Sequence, residues 1–539
     1  VTATATIDGG TNGVIVVGDE NSVSTDADIK GLGGNGVQLD GNENDVAAEG
    51  IYGSAIGADV NGNENTVAAS WIWGDAGQGV DVDGDDNVVT FVNVEAGDDG
   101  VNVNGQDNTL NLEGTDILAE GDGVYINDPS NAFNHDADTR IEAGDDGIEL
   151  GWGGSNDTAN ELFVWAGTID ADDNGFTANA IEDDDSTTLG NWTIHNSGTI
   201  NADVDDNNDG SGILLADNNI IRNAASGVIT GWNGIEVGDN NEIDNDGSIH
   251  GEHIGILAGS NNLITNSNPI TISGEIDDGI HADDNNEIIN ETGGSISGGN
   301  DGIDVNDNNV IWNQAGATVT GGDDGIEGNN NNEIFNDGDI VATDDDGVHV
   351  EDFNLVVNAD GATITAGDDG IRVQDNNGGF SFVEEDTDGN ELNEWVLVED
   401  GVFNDGTIIA DSDGIQGGSR NWIENNGSVT AGDVGIYVDG DENFIVNDGS
   451  IIASSEGIFV DEGGDDNTIL NFGSIDGEDD TDGNTTLSEG IELEGGDDGD
   501  ATGNFILTTG SIDTMYKGID LEDASENEVI VTENATIDS

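Results

Sequence analysis

Residues Gly234–Gly251 read GIEVGDNNEIDNDGSIHG. Ile235 and Val237 alternate with Glu236, the period of a strand with one buried face. Ile243 centres a second short apolar piece and Ile249 a third. Each piece is too short for a helix. The clusters between them, Gly238-Asp239-Asn240-Asn241 and Asn245-Asp246-Gly247, are turn formers that tolerate positive φ. Three strands and three turns in about 22 residues predict one coil of a parallel β-helix.

The same unit recurs outward in both directions. A glycine followed by Ile, Val or Phe, usually after Asp or Asn, marks it from Gly13 to Gly518, mostly at spacings of 21 to 24 residues. Longer spacings follow Gly175 and Gly370, where a loop insertion or a skipped anchor is expected. The fold expected is all-β: a right-handed parallel β-helix (β-solenoid) of about 21 coils, continuous over residues 1–539. With coils about 4.8 Å apart, it predicts a rod of roughly 100 Å. Segment 378–402, with Phe380, Phe382, Trp395 and Val396, is the largest insertion and is expected to protrude and make a contact.

Composition agrees with this order and excludes several functions. The chain has 539 residues, 117 Asp plus Glu and six Lys plus Arg, for a net charge of −111. Six cations cannot build a nucleic-acid footprint. The absence of Cys rules out disulfides and thiolate metal sites. No run of about 18 apolar residues is available for a membrane-spanning helix. An apolar fraction of 34 % is low for a globular core but suits thin coils stabilised by their neighbours.

Asparagine marks two further columns. Asn241, Asn262, Asn286, Asn309, Asn332 and Asn377 fall seven residues after their anchors; Asn21, Asn44, Asn65, Asn87 and Asn108 fall eight after theirs. The array therefore holds two subfamilies that differ by one residue in the first turn. Asn245, Asn266, Asn290, Asn313 and Asn336 form the second column. Stacked amides that hold turns and ladders account for both.

The pattern N-x-G-[ST]-[IV], at Asn245–Ile249, Asn404–Ile408, Asn425–Val429 and Asn447–Ile451, combines with the D-G-I return. Together they resemble the passenger repeats of autotransporter-type and related secreted β-helix adhesins of Gram-negative bacteria. The resemblance implies an extracellular or cell-surface protein that works as a rod. Neither a signal peptide nor C-terminal barrel strands with aromatic girdles is recognisable, so processing or another export route is expected. The motif GDDG[IV], at Gly97–Val101, Gly144–Ile148, Gly322–Ile326 and Gly367–Ile371, resembles the G-D-D segment of pectin-degrading β-helix hydrolases. Here it is a repeat element, whereas catalysis needs one unique constellation, and the companion histidine and Arg-x-Lys of that family have no counterpart. No enzymatic activity is expected.

Calcium is the expected use of the aspartates. Asp278, Asp301, Asp324, Asp346, Asp369 and Asp413 each precede an anchor glycine, as do Asp99 and Asp146. One coil apart, such carboxylates repel by roughly 0.9 kcal/mol per pair even in a water-like dielectric. A hard divalent cation removes that repulsion; the alternative is an acidic face screened by sodium. Gly298–Asp304 comes within one residue of the calcium nonapeptide of RTX proteins, but the period differs. His250 and His253, three apart on a strand, face opposite sides and read as surface residues. Trp71 and Trp73 share a face; interior packing or a subunit contact is expected ahead of stacking on a sugar. The function expected is self-assembly into an extracellular filament, sheath or surface layer stabilised by divalent cations. The alternatives are an adhesin for another cell, with cell-surface glycans as partners, and a polysaccharide-active enzyme.

Overall fold

The computed structural model describes the chain except residues 113, 129, 152–160, 179–191, 204–209, 268, 270, 378, 386–390, 399, 462–463, 478–488, 496–500, 523 and 539. The side chains of 161, 162, 379–385 and 391–398 also lie outside the description. The described residues are all-β with no helix, and parallel strands wind into a β-solenoid of about 20 turns. Contacts divide the chain into two units, Val1–Asn262 and Leu263–Ser539.

In the second unit, one coil runs through the strands Ile303–Val305, Val310–Asn313 and Thr318–Gly321. Each pairs in parallel with its equivalent in the next coil: Ile303 with Ile326, Ile311 with Ile334, Val319 with Ile340. Alternate residues point inward, so Ile303, Ile311 and Val319 are buried. The expected interior column is present in both units. Ile235 pairs with Ile256 in the first; Ile280, Ile303 and Ile326 are consecutive in the second, where Val348 then leads to Ile371. Burial at about 25 cal/mol per Å2 of apolar surface is thus distributed coil by coil.

The anchor glycine is a steric requirement. A Cβ on Gly302 would lie 2.6 Å from the Gly325 carbonyl oxygen and 2.6 Å from Val319 Cγ1. The first turn needs left-handed backbone, and the two subfamilies supply it differently. In the second unit, Asn285, Asn308 and Asn331 sit at φ 60°, 61° and 58°. Early in the first unit, Glu43, Glu64, Asp86 and Asp107 take that conformation, each after a positive-φ glycine two residues earlier.

Both asparagine columns are ladders. Asn309 N–H donates to Asn332 Oδ1 at 2.7 Å, Asn332 N–H to Asn354 Oδ1 at 2.7 Å and Asn354 N–H to Asn377 Oδ1 at 2.6 Å. In the second column the amides bond each other: Asn290 Nδ2 to Asn313 Oδ1 at 2.9 Å, and Asn313 Nδ2 to Asn336 Oδ1 at 2.8 Å. Buried polar groups are satisfied along the solenoid in this way.

The long spacings are insertions. Phe176 pairs directly with Ile213, and Ile371 with Ile415. Within segment 378–402, Gly379–Glu385 and Glu391–Val398 form an antiparallel two-stranded ribbon separate from the coil sheets. The expected contacts of Phe380, Phe382, Trp395 and Val396 lie outside the described side chains. Trp71 and Trp73 correct the interior reading: both point outward, 51 % and 40 % exposed, on the nine-residue strand Thr66–Gly74. Period two places them opposite buried Ile72.

Candidate metal centre along the carboxylate ladder

The residue before each anchor glycine sits at a coil corner. In the second unit, six successive corners carry the aspartates singled out from the sequence, and the fold links them into a third ladder. Asp301 N–H donates to Asp278 Oδ1 at 3.1 Å, Asp324 N–H to Asp301 Oδ1 at 2.9 Å, and Asp346 N–H to Asp324 Oδ1 at 2.8 Å. Asp369 N–H then donates to Asp346 Oδ1 at 2.9 Å, Asp413 N–H to Asp369 Oδ1 at 3.0 Å, and Val434 N–H to Asp413 Oδ1 at 3.0 Å. All six aspartates are buried.

One oxygen of each carboxylate therefore serves the backbone. The other faces the neighbouring column, formed by the outward residue two places after the anchor glycine; in Asp301 it also accepts from Asn300 Nδ2 at 2.9 Å. In register, that column reads His281, Asp304, Glu327, His349, Arg372 and Gln416. His281 Nδ1 lies 2.7 Å from Asp304 Oδ2 and 3.4 Å from Asp278 Oδ2. His349 Nδ1 lies 3.5 Å from Asp324 Oδ2 and 3.8 Å from Asp346 Oδ2, which is also 3.8 Å from Arg372 Nη1. Between these two groups, carboxylate oxygens of Asp301, Asp324 and Glu327 lie within 4.8 Å of one another.

Burial and mutual repulsion set the protonation. Burial, opposed by the Asp324 N–H and reinforced by Asp278, Glu327 and Asp324, pushes Asp301 up to about 8. Burial likewise pushes Asp346 and Asp413 up to about 7 and raises Asp369. His281 moves the same way for the opposite reason: hydrogen bonds to Asp278 and Asp304 push it up to about 10, so it stays cationic.

The first unit builds a shorter version. Asp122 N–H donates to Asp99 Oδ1 at 3.4 Å, Asp146 N–H to Asp122 Oδ1 at 3.2 Å, and Asn174 N–H to Asp146 Oδ1 at 3.0 Å. Asp99 and Asp146 are thus joined through Asp122. Glu149 completes a cluster with Asp122 and Asp146. Burial, then Glu149, pushes Asp122 up to about 9, and burial pushes Asp146 up to about 7. Asn35 and Asn174 occupy the same corner position and accept the next coil's N–H from Ile56 and Ser211 at 3.4 Å and 2.9 Å. A neutral amide fills the ladder as well as a carboxylate does, so the charge is surplus to the ladder.

Sequence reasoning found the corner aspartates but missed Asp122, Glu149, Glu327, His281 and His349. Their signal was present as D-G-[IV]-x, with x outward and beside the preceding corner. His253 instead stacks on Trp232, ring centroids 4.8 Å apart. The chain matches no protein-family model, and no curated protein matches it.

Proposed function

We propose that this chain is an extracellular structural β-solenoid that assembles with copies of itself, with divalent cations, calcium above all, neutralising its carboxylate ladder. The observation that carries this reading is the second oxygen of each corner aspartate. An asparagine would hold the coil without charge, yet six consecutive corners from Asp278 to Asp413 bring buried carboxylates to one line. Hard oxygen donors in this arrangement suit calcium. At −111, copies of the chain repel one another until counterions intervene. The ladder and acidic columns are repeated elements with no unique acid–base pair, which favours a structural role over polysaccharide chemistry. The N-x-G-[ST]-[IV] repeats, similar in style to secreted β-helix adhesins, favour the cell surface.

An adhesive role is the second reading, favoured by a specific feature. Trp73 lies against Tyr52, ring centroids 6.1 Å apart, and Lys30 Nζ stands 5.0 Å from the Tyr52 ring centre. With Trp71 on the same exposed face, these rings offer a stacking surface to a neutral glycan.

Electron microscopy of the purified chain, with calcium and after chelation, separates the readings. Ordered polymers with calcium that disperse on chelation support assembly. Single particles in both states, with retention on immobilised neutral glycan lost in Trp73→Ala, support adhesion.

A further inference from the structure

We propose that Asp324, Asp346 and His349 form a site for a borderline transition-metal dication of the zinc class, set within the otherwise oxygen-lined ladder. The inference rests on the reading that the outer oxygens of the ladder take cations, and adds which metal this position selects.

Asp346 carries the argument. It is 1 % exposed, its Oδ1 accepts the Asp369 N–H at 2.9 Å, and its buried Oδ2 has no hydrogen-bond partner. Such an orphaned oxygen is costly unless something binds it. It is aimed into a cluster in which one ligand atom each of Asp324, Asp346 and His349 lie within 4.8 Å of one another, with His349 Nδ1 facing Oδ2 of both aspartates. The imidazole nitrogen is 3.5 Å from Asp324 Oδ2 and 3.8 Å from Asp346 Oδ2, so its proton serves Asp324 and leaves Asp346 Oδ2 unsatisfied. Four-coordinate zinc, at about 2.0–2.1 Å from nitrogen and oxygen ligands, needs its ligands about 3.3 Å apart. A contraction of a few tenths of an ångström closes the imidazole onto both oxygens.

The coil also fixes the aim of both carboxylates. The inner oxygens are held by successive backbone N–H groups at 2.8 Å and 2.9 Å, the kind of outer support that orients metal ligands. His349 is 27 % exposed, so an ion and a water ligand reach it from solvent. Arg372 Nη1, 3.8 Å from Asp346 Oδ2, belongs to a side chain 44 % exposed, which can move into water as the ion enters.

Two neighbouring clusters give the contrast. In the His281 cluster the imidazole already hydrogen-bonds Asp304 at 2.7 Å, so a proton fills that place. The cluster of Asp301, Asp324 and Glu327 offers only oxygen and suits a hard ion. An imidazole with two carboxylates shifts preference toward zinc, cobalt or manganese over calcium.

The test uses the untagged full chain, stripped of metal and titrated with zinc in high salt and excess calcium, which occupies non-specific carboxylates. The expected result is one zinc site that survives the calcium. His349→Gln should weaken it by more than the about 10–100-fold that losing an outer-shell partner costs, and leave calcium binding unchanged; Gln416 stands in the same column, so glutamine suits the strand. His281→Gln should leave zinc binding as it was. Cobalt in the wild-type chain should give the intense absorption of a four-coordinate site with nitrogen ligation, which decides the matter if a variant fails to fold. Zinc affinity unchanged in His349→Gln, lost in His281→Gln, or a six-coordinate all-oxygen cobalt spectrum overturns the proposal. A chain that binds calcium but no zinc overturns this inference and leaves the calcium reading standing; one that binds neither overturns both.

Discussion

The two units answer the same electrostatic problem differently. In the second, the corner ladder runs unbroken through six aspartates, and His281, His349 and Arg372 stand in the adjoining column as built-in cations. In the first, the ladder is interrupted by neutral corners such as Asn35, Ile56 and Asn174, and its acidic stretch is only Asp99, Asp122 and Asp146. Beside that stretch stands Glu149, another acid. Burial, then the hydrogen bond and charge of Glu149, raises Asp122 to about 9. One backbone position thus tolerates charge, amide or hydrocarbon. What differs is where carboxylates accumulate and whether the protein's own cations stand beside them.

The largest expected effect lies in what the units share. Replacing Ile303 in the second or Ile148 in the first with Asp buries a charge between coils and should cost about 4 kcal/mol or more in either unit. Denaturant melts of both variants check this; a mild effect in one unit alone would show that its interior column is not the common support.

Calcium should then separate the units. Hydrogen exchange on the chelated and calcium-loaded chain should show the greater gain in protection at Asp99–Gly147, where no built-in cation adjoins the ladder, and a smaller gain at Asp278–Gly414. Equal gains would break the comparison.

Acidity gives a third test. Asp122, Asp146 and Asp301 have folded-state values pushed up to about 9, 7 and 8, above the ordinary carboxylate value near 3.8. Between those limits the folded chain binds more protons than the unfolded one, so stability falls as pH rises. The chelated chain should therefore melt at a higher temperature at pH 6 than at pH 9, opposite to a protein held by depressed carboxylates. His281, pushed from 6.5 up to about 10, acts in the same direction: its contribution is full below about 6.5 and is lost progressively as pH rises to about 10.

The smallest effect is Asp122→Asn. Asn174 shows that an amide fits this corner, so removing a group that the fold must protonate at pH 8 should stabilise the chelated chain by on the order of 1 kcal/mol. Asp346→Asn should gain less, because it also removes the charge that His349 and Arg372 face at 3.8 Å. Thermal melts of the two variants compare them directly.

Much of this was legible in the sequence because a solenoid repeats its physics. Ile235, Ile280 and Ile303 declared the inward face by their period, and Asn309 and Asn332 declared a ladder by recurring at a fixed distance from the anchor. Asp278 to Asp413 could be aligned in the same way. What the spacing could not carry was the division of each carboxylate between the next coil's N–H and an outward neighbour. That division makes His349 and Glu327 part of the site, and it depends on how the corner is turned. For Trp71 and Trp73 the interior option fell away. Here the nine-residue strand keeps alternating through them, with Ile72 taking the inward place.

The most direct test of the central claim is the melting temperature of the chelated chain after adding calcium or sodium chloride at equal ionic strength. If the ladder is a divalent-cation site, calcium raises it well above the sodium value, and the gain shrinks when Asp278, Asp301, Asp324 and Asp369 are all changed to Asn. If sodium raises it as far as calcium does, the ladder is a screened acidic face and the metal assignment is contradicted.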